Sequence, residues 1–302
     1  MLKHNKPSMI SHPFVLLFIS ILSVSISSIM IKFSDTPTSV AGMYRLFISV
    51  IIMLAFVPRK QLVSIQLSKR EGCIVLLAGV FLGLYFLFWM ESLVYTSVAS
   101  SMVILSLQPL FVMLGSYFLF KERVSLLTVV CMIIALFGSI FIAWGDISIS
   151  REALFGDGLS FIGTLFVSAY LLMGQKVSNK IDANVYSIIV FFIGGTVMLI
   201  YNLFQNYSLV QYHLSDWIYF LLLAIIPTIF GQYIFNILLN SIGATTVSVG
   251  IIGEPVLAII LAYFFLGEMI SVFQLIGGML TLMGMGLYFW SKSLKYSVQR
   301  TN

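Results

Sequence analysis

The chain has 302 residues, of which 60% are hydrophobic and 9% charged, with a mean hydropathy of +1.07. Soluble domains average about 25% charged residues, so a water-solvated globule is excluded. The net charge of +5 and pI near 9.1 do not point to nucleic acid, because the basic residues are scattered through short loops between apolar runs and form no stripe.

A membrane-spanning helix takes roughly 20 mostly apolar residues. Ten candidate runs follow one another, at about 13–33, 40–57, 72–95, 98–120, 125–144, 158–177, 184–203, 216–239, 245–266 and 271–290. The connections are short, and Ser34-Asp35-Thr36-Pro37 shows the turn chemistry expected between them. The first run follows Lys3 and Lys6 but is too long for the apolar core of a signal peptide, and no small-residue cleavage site follows it. It reads as a retained anchor. With the N-terminus inside, the inner segments carry thirteen Lys and Arg, against Lys32 and Arg151 outside. That bias predicts both termini in the cytoplasm.

The chain is internally duplicated. Gln108–Glu122 (QPLFVMLGSYFLFKE) aligns with a stretch of Gly253–Glu268 (GEPVLAIILAYFFLGE) at a shift of 146 residues. Pro109 then falls on Pro255, Tyr117 on Tyr263, Phe118 on Phe264 and Glu122 on Glu268. The match continues through Ser125 and Ser271, Gly138 and Gly284, and Trp144 and Trp290. Each copy has five runs, an odd number, so the second copy must enter the bilayer upside down. The predicted fold class is an all-α membrane protein, with ten transmembrane helices in two inverted-topology five-helix repeats. The boundaries expected are a tail at 1–12, repeats at 13–144 and 158–290, a linker loop at 145–157 and a tail at 291–302. Inverted repeats with a site near the midplane recur in secondary transporters.

The segment SLVYTSVASSMVILSLQPLFVMLGSYFLFKERV and its copy YIFNILLNSIGATTVSVGIIGEPVLAIILAYFFLGEMISVFQLIGG resemble the EamA family of the drug/metabolite transporter superfamily. Lys32, Pro37 and Arg45 fit its first repeat. The resemblance implies a ten-helix inverted-repeat carrier in a bacterial plasma membrane, usually exporting amino acids or other small metabolites. The family often has Gly before the acid that ends the fourth span; Lys121 stands there in this chain.

Glu254 is the sharpest candidate for chemistry. An ionised carboxylate at the bilayer centre costs at least ~2.5–3.5 kcal/mol, so it should face protein or a wet cavity. There it could carry a proton, or it could be a neutral, hydrogen-bonded group that locks two helices. Pro109 and Pro255 each remove a backbone donor and are expected to break their helices, freeing a carbonyl near Ile251. Gln108 takes the place of Glu254 in the first half. Lys32, Arg45 and Glu91 form a second cluster towards the outer ends of their spans, with Arg45–Glu91 as the expected ion pair and Lys32 free to snorkel. Gln232, Asn236 and Asn240 recur every four residues on one helix face, as do Tyr85 and Trp89 on another. Both stripes could wall a path or simply pack.

Glu122 and Glu268 read as acids beside the positive ends of the following helices, with Ser125 and Ser271 as caps. Gly138, Gly277, Gly278, Gly284 and Gly286 suggest close helix contact in the fifth and tenth spans, as scaffold or homodimer surface. Cys73 and Cys131 read as small buried hydrophobes. Cofactor, nucleotide and metal motifs are absent: there is no GxGxxG, GxSxG or HExxH, and no metal-ligand spacing. The expected partners are the lipid bilayer, a small-molecule substrate and protons, with no nucleic acid. A carrier is therefore the leading reading. A channel, or a sensor or scaffold that transports nothing, is its rival.

Overall fold

The computed structural model describes residues 12–32, 36–58, 61, 67–122, 124–144, 150–266 and 269–301. Lys3, Lys6, Ser34, Asp35 and Glu268, named above, lie outside them, as do Arg59, Lys60 and Arg123 among the basic residues counted for the inner segments. Among the described residues the chain is helical, without strands. The first half contains α1 (Pro13–Lys32), α2 (Thr38–Phe56), α3 (Lys69–Tyr95), α4 (Val98–Leu105), α5 (Gln108–Phe120) and α6 (Leu126–Ala143). The second contains α7 (Arg151–Val177), α8 (Ala183–Phe204), α9 (Leu214–Leu223), a π-helical segment (Ala224–Tyr233), α10 (Ile234–Ile251), α11 (Glu254–Leu266) and α12 (Val272–Thr301). Seven helical runs are long and apolar enough to cross a membrane, and three shorter apolar helices accompany them. The chain is a multi-pass membrane protein.

Polar caps set where the helices start. Ser68 and Glu71 form a reciprocal capping box at α3, with Glu71 N–H donating to Ser68 Oγ at 3.3 Å. Ser97, Ser125, Ser150 and Asp182 each accept a backbone N–H of the helix that follows. Ser271 does the same at α12, accepting from Gln274 N–H at 3.2 Å. The cap at Ser150 corrects one boundary: residues 151–157, expected in a linker loop, already belong to α7. Likewise α12 runs on through the expected tail to Thr301.

The duplication is visible in three dimensions. Val98, Leu105, Gln108 and Leu126, which bound α4, α5 and α6, correspond at the same 146-residue shift to Ala244, Ile251, Glu254 and Val272. The runs read as the fourth and ninth spans are both broken at this register, where Pro109 and Pro255 were expected to break them. The breaks fall after Leu105 and after Ile251, with two residues between each and the restart at Gln108 or Glu254. Pro109 and Pro255 supply the cause, since a proline ring clashes with the carbonyl four residues back. Gly243 separates the eighth span from the ninth inside α10, with φ of 77°. That backbone suits glycine alone. Lys121 also sits in the left-handed region, with φ of 56°, where a side chain costs of order 1–2 kcal/mol.

Packing between the halves is reciprocal. α3 lies on α7, and α1 lies on the π-helical segment and α10, the counterparts of α3. α4 and α5 pack on α7, while α10 and α11 pack on α1. α2 meets its own counterpart α8, and α6 meets α12. Equivalent large side chains point outward in both halves: Phe118 and Phe264 are 76% and 74% exposed, and Trp144 and Trp290 are 61% and 65% exposed. In a bilayer these faces meet lipid. Cys131 is buried as expected, but Cys73 lies on the exposed face of α3.

Small residues let α6 and α12 approach closely. A methyl group added at Gly284 would meet Cys131 O and Ala135 N at 2.6 Å, and one at Gly277 would meet Ile142 N at 2.6 Å. Gly278 and Gly286 have no such constraint. Because the neighbours are backbone atoms, Gly284→Leu should destabilise the detergent-purified protein by about 1–3 kcal/mol, read as a lower unfolding temperature. Gly286→Leu serves as the control and should leave that temperature unchanged.

Candidate functional site

The two broken spans face each other across a cavity lined mostly by buried residues. Its walls come in related pairs, each separated by 146 residues: Phe86 with Gln232, Trp89 with Phe235, and Gln108 with Glu254. Leu105 and Ile251, the last residues before the two breaks, line it as well. The cavity therefore sits on the seam between the halves. About 20 Å³ is open to the centre of a water-sized sphere, room for roughly one water molecule.

Arg45 enters this cavity from α2 and is 1% exposed. Its Nε donates to Thr228 Oγ1 at 2.9 Å and its Nη1 to Ser27 Oγ at 3.2 Å. The guanidinium carbon lies 4.3 Å from the centre of the Phe86 ring, a cation–π contact. One partner comes from each half, so the cation staples α1 to the second repeat. Thr228 is presented by the π-helical segment. Pro227 inside that segment cannot donate a backbone hydrogen bond, and the helix widens around it. Thr228 Oγ1 donates to Leu223 O at 2.8 Å, and Ser49 Oγ donates to Ala224 O at 3.0 Å. These hydroxyls satisfy carbonyls that the widened turn would otherwise strand in an apolar medium.

Glu254 opens α11 and is 5% exposed. Its backbone carbonyl accepts from Ser25 Oγ at 3.3 Å, but among the described residues no group hydrogen-bonds its carboxylate. Arg45 and Glu254 thus line one cavity without pairing with each other. Two buried donors beside them, the Trp89 indole and the Gln108 amide, also have no acceptor. Leaving a buried polar group unmatched costs about 1–3 kcal/mol. Such a set fits a ligand that brings both donors and acceptors.

Of the residues singled out from sequence, the structure brings Arg45, Tyr85, Trp89, Gln108, Gln232 and Glu254 to one cavity. Tyr85 and Trp89 stack with ring centroids 5.9 Å apart. Pro109 and Pro255 lie in the first turns of α5 and α11. Asn236 is not on the cavity; its side chain bonds Tyr170 and Ser187. Lys32 ends α1, and its side chain lies outside the described part of the structure. The Arg45–Glu91 pair is corrected: Glu91 accepts from Thr38 Oγ1 at 3.2 Å. Thr38 precedes Arg45 by seven residues in α2, ~10 Å along the axis, which leaves Glu91 too near the helix end to reach the guanidinium. Glu122 precedes the Ser125-capped helix α6 and also accepts from Gln175 Nε2 at 2.8 Å. Among the described residues the one ion pair is Lys180–Glu71, at 2.5 Å between the ends of α7 and α3.

Ser27, Phe86, Thr228 and Phe235 escaped the sequence reading. Thr228 alone carried a signal, as the hydroxyl next to Pro227 in an apolar run. Exchanging the two charges, Arg45→Glu with Glu91→Arg, should not restore the stability lost in Arg45→Glu. Glu91→Gln alone should stay within about 0.5 kcal/mol of the parent. Thermal unfolding of the four proteins measures both, and recovery in the exchange would reinstate the pair.

Comparison with known proteins places this architecture. The profile described as EamA-like transporter family matches residues 13–144 and 154–290. Three Bacillus subtilis proteins named as uncharacterized transporters are similar. YxxF is 25% identical over 222 residues, covering 73% of this chain and 70% of its own. YetK is 27% identical over 243 residues, covering 76% and 70%. YoaV is 24% identical over 261 residues, covering 83% and 86%. A solved structure, titled only as the crystal structure of a protein, superposes with a TM-score of 0.77 at 17% identity, over 92% of this chain and 96% of that one. This last likeness speaks to fold alone. The chain belongs to the EamA-like transporter family, and it is a membrane transporter rather than an enzyme.

Proposed function

We propose that the protein is a secondary carrier that moves a small organic metabolite, an amino acid or a related solute, across the plasma membrane by alternating access. The direction proposed is export, with protons as the coupling ion through Glu254. One observation carries this reading: a buried cation from the first half and a buried carboxylate from the second line the same cavity without an ion pair or hydrogen bond between them. A zwitterionic solute supplies the missing partner for each. It also supplies acceptors for Trp89 and Gln108.

The inverted relation of the halves supplies the alternation. On this reading the seven long runs and three shorter apolar helices found among the described residues serve as ten spans, five to a half, and both termini lie on the cytoplasmic side. The reciprocal packing of the halves supports a two-fold axis between them, and with five passes per half the proposed axis lies in the membrane plane. Exchanging the conformations of the two halves then turns an inward opening into an outward one. In the closed form the cavity is too small for an amino acid, so loading requires the halves to part.

Reconstitution in liposomes tests the carrier. A metabolite panel should show saturable uptake stimulated by counterflow, altered by an imposed pH gradient. Glu254→Gln should insert normally and lose the dependence on that gradient; flux equal to the parent at every pH would remove the carboxylate from the mechanism. Single cysteines at Lys60 and Lys292 should react with an impermeant thiol reagent from the same face. Labelling from opposite faces would exclude the inverted arrangement.

A further inference from the structure

A second cavity lies at the end of the bundle where α5, α7 and α10 meet. It measures about 430 Å³, within the range of small-ligand pockets, about 300–1,000 Å³. Unlike the central cavity it is polar, with Glu122, Gln175, Lys176, Asn179 and Asn240 in its walls. Gln175 braces it, accepting from Ala244 N–H at 2.6 Å and donating to Glu122 Oε1 at 2.8 Å.

Both cavities lie along one seam between α7 and the run that ends in α10. Val167 and Leu171 of α7 line the central cavity, and Gln175, one turn on, lines the second. On the facing helix Gln232 lines the first and Asn240 the second, with Asn236 between them. These amides rise ~6 Å apart, so the cavities are separated by a single layer of side chains. Tyr170 and Asn236 fill that layer. The Tyr170 hydroxyl donates to Asn236 Oδ1, and Asn236 Nδ2 donates to Ser187 Oγ at 3.0 Å. Tyr186 stacks on Tyr170 at a centroid distance of 6.4 Å, and among the described residues its buried hydroxyl has no partner. Gly174 lets the layer close: a methyl group there would meet Leu239 Cδ1 at 2.6 Å and the Tyr186 hydroxyl oxygen at 2.8 Å.

We infer that the polar pocket is a loading vestibule for a small zwitterionic solute, and that the Tyr170–Asn236 contact is the closed gate between it and the central cavity. Lys176 and Glu122 meet the two charges of such a solute at the mouth. Past the gate, Gln232 and Glu254 receive it. The unpartnered Tyr186 hydroxyl gains a ligand or water once the layer parts. This inference rests on the carrier reading.

The test uses the full-length protein in membrane vesicles of both orientations, in a Cys73→Ser background with buried Cys131 retained. The probe is a small impermeant methanethiosulfonate. Asn240→Cys should react readily from one face and so define the vestibule side. Val167→Cys should react slowly from that face, and about tenfold faster when Tyr170→Phe removes the closing hydrogen bond, as expected for a bond of ordinary strength. Ser187→Ala, which frees Asn236, provides a second and milder opening. An unchanged rate at Val167→Cys in both variants, or acceleration only from the opposite face, would overturn the assignment. The labelling needs no transported solute, so an absence of saturable flux would count against the carrier reading and leave this result to stand by itself.

Discussion

Backbone and side-chain polar groups cannot be left to water inside a bilayer, and this constraint organises the whole seam. Pro109 and Pro255 break two spans at the same register. Each break strands backbone groups at membrane depth, which is tolerated only against protein or a cavity. The two breaks are therefore turned toward each other. The cavity is the consequence, and the inward position of Gln108 and Glu254 at the starts of α5 and α11 follows from it.

The same constraint explains the π-helical segment. Pro227 widens a helix in the second half, and hydroxyls from Thr228 and Ser49 take up carbonyls of Leu223 and Ala224. Thr228 then presents its oxygen to Arg45. A backbone irregularity and a buried cation are thus resolved by one contact. The first repeat has no such turn: Pro227 and Thr228 correspond to Phe81 and Leu82 in the regular helix α3, and Arg45 corresponds to the buried apolar Phe191 of the second half. Duplication provided the frame, and divergence placed one charge in each half.

A closed cavity that leaves charges unmatched stores a demand for a partner. Every unpaired buried group favours a state in which water or solute supplies the contact. Closing layers must offset that demand, and the structure supplies them in polar form. Asp157 accepts from Thr96 Oγ1 and Ser100 Oγ at 2.7 and 2.8 Å towards one end of α7, and Gln175 bonds Glu122 and Ala244 towards the other. α7 therefore carries closing contacts on both sides of the cavity. Each such bond contributes a modest amount, as the opening and reclosing proposed for the carrier would need.

The sequence by itself determined the membrane setting, the repeat and the identity of the broken helices. Hydropathy, the 146-residue register and paired prolines are local or periodic signals, written directly in residue order. It also marked Arg45, Gln108, Gln232 and Glu254, because polar groups in apolar runs are costly wherever they fall. Which of them meet was decided only by tertiary structure. Arg45 looked toward Glu91 on position along the spans, yet rotation of α2 about its axis and the widened π-helical turn bring it to Thr228 and Ser27. Asn236 shares its face with Gln232 but binds Tyr170, because the packing of α7 sets how deep the cavity reaches. Ser27, Phe86 and Phe235 are ordinary membrane-helix residues in sequence, and they become walls of a site only when the two halves close around it.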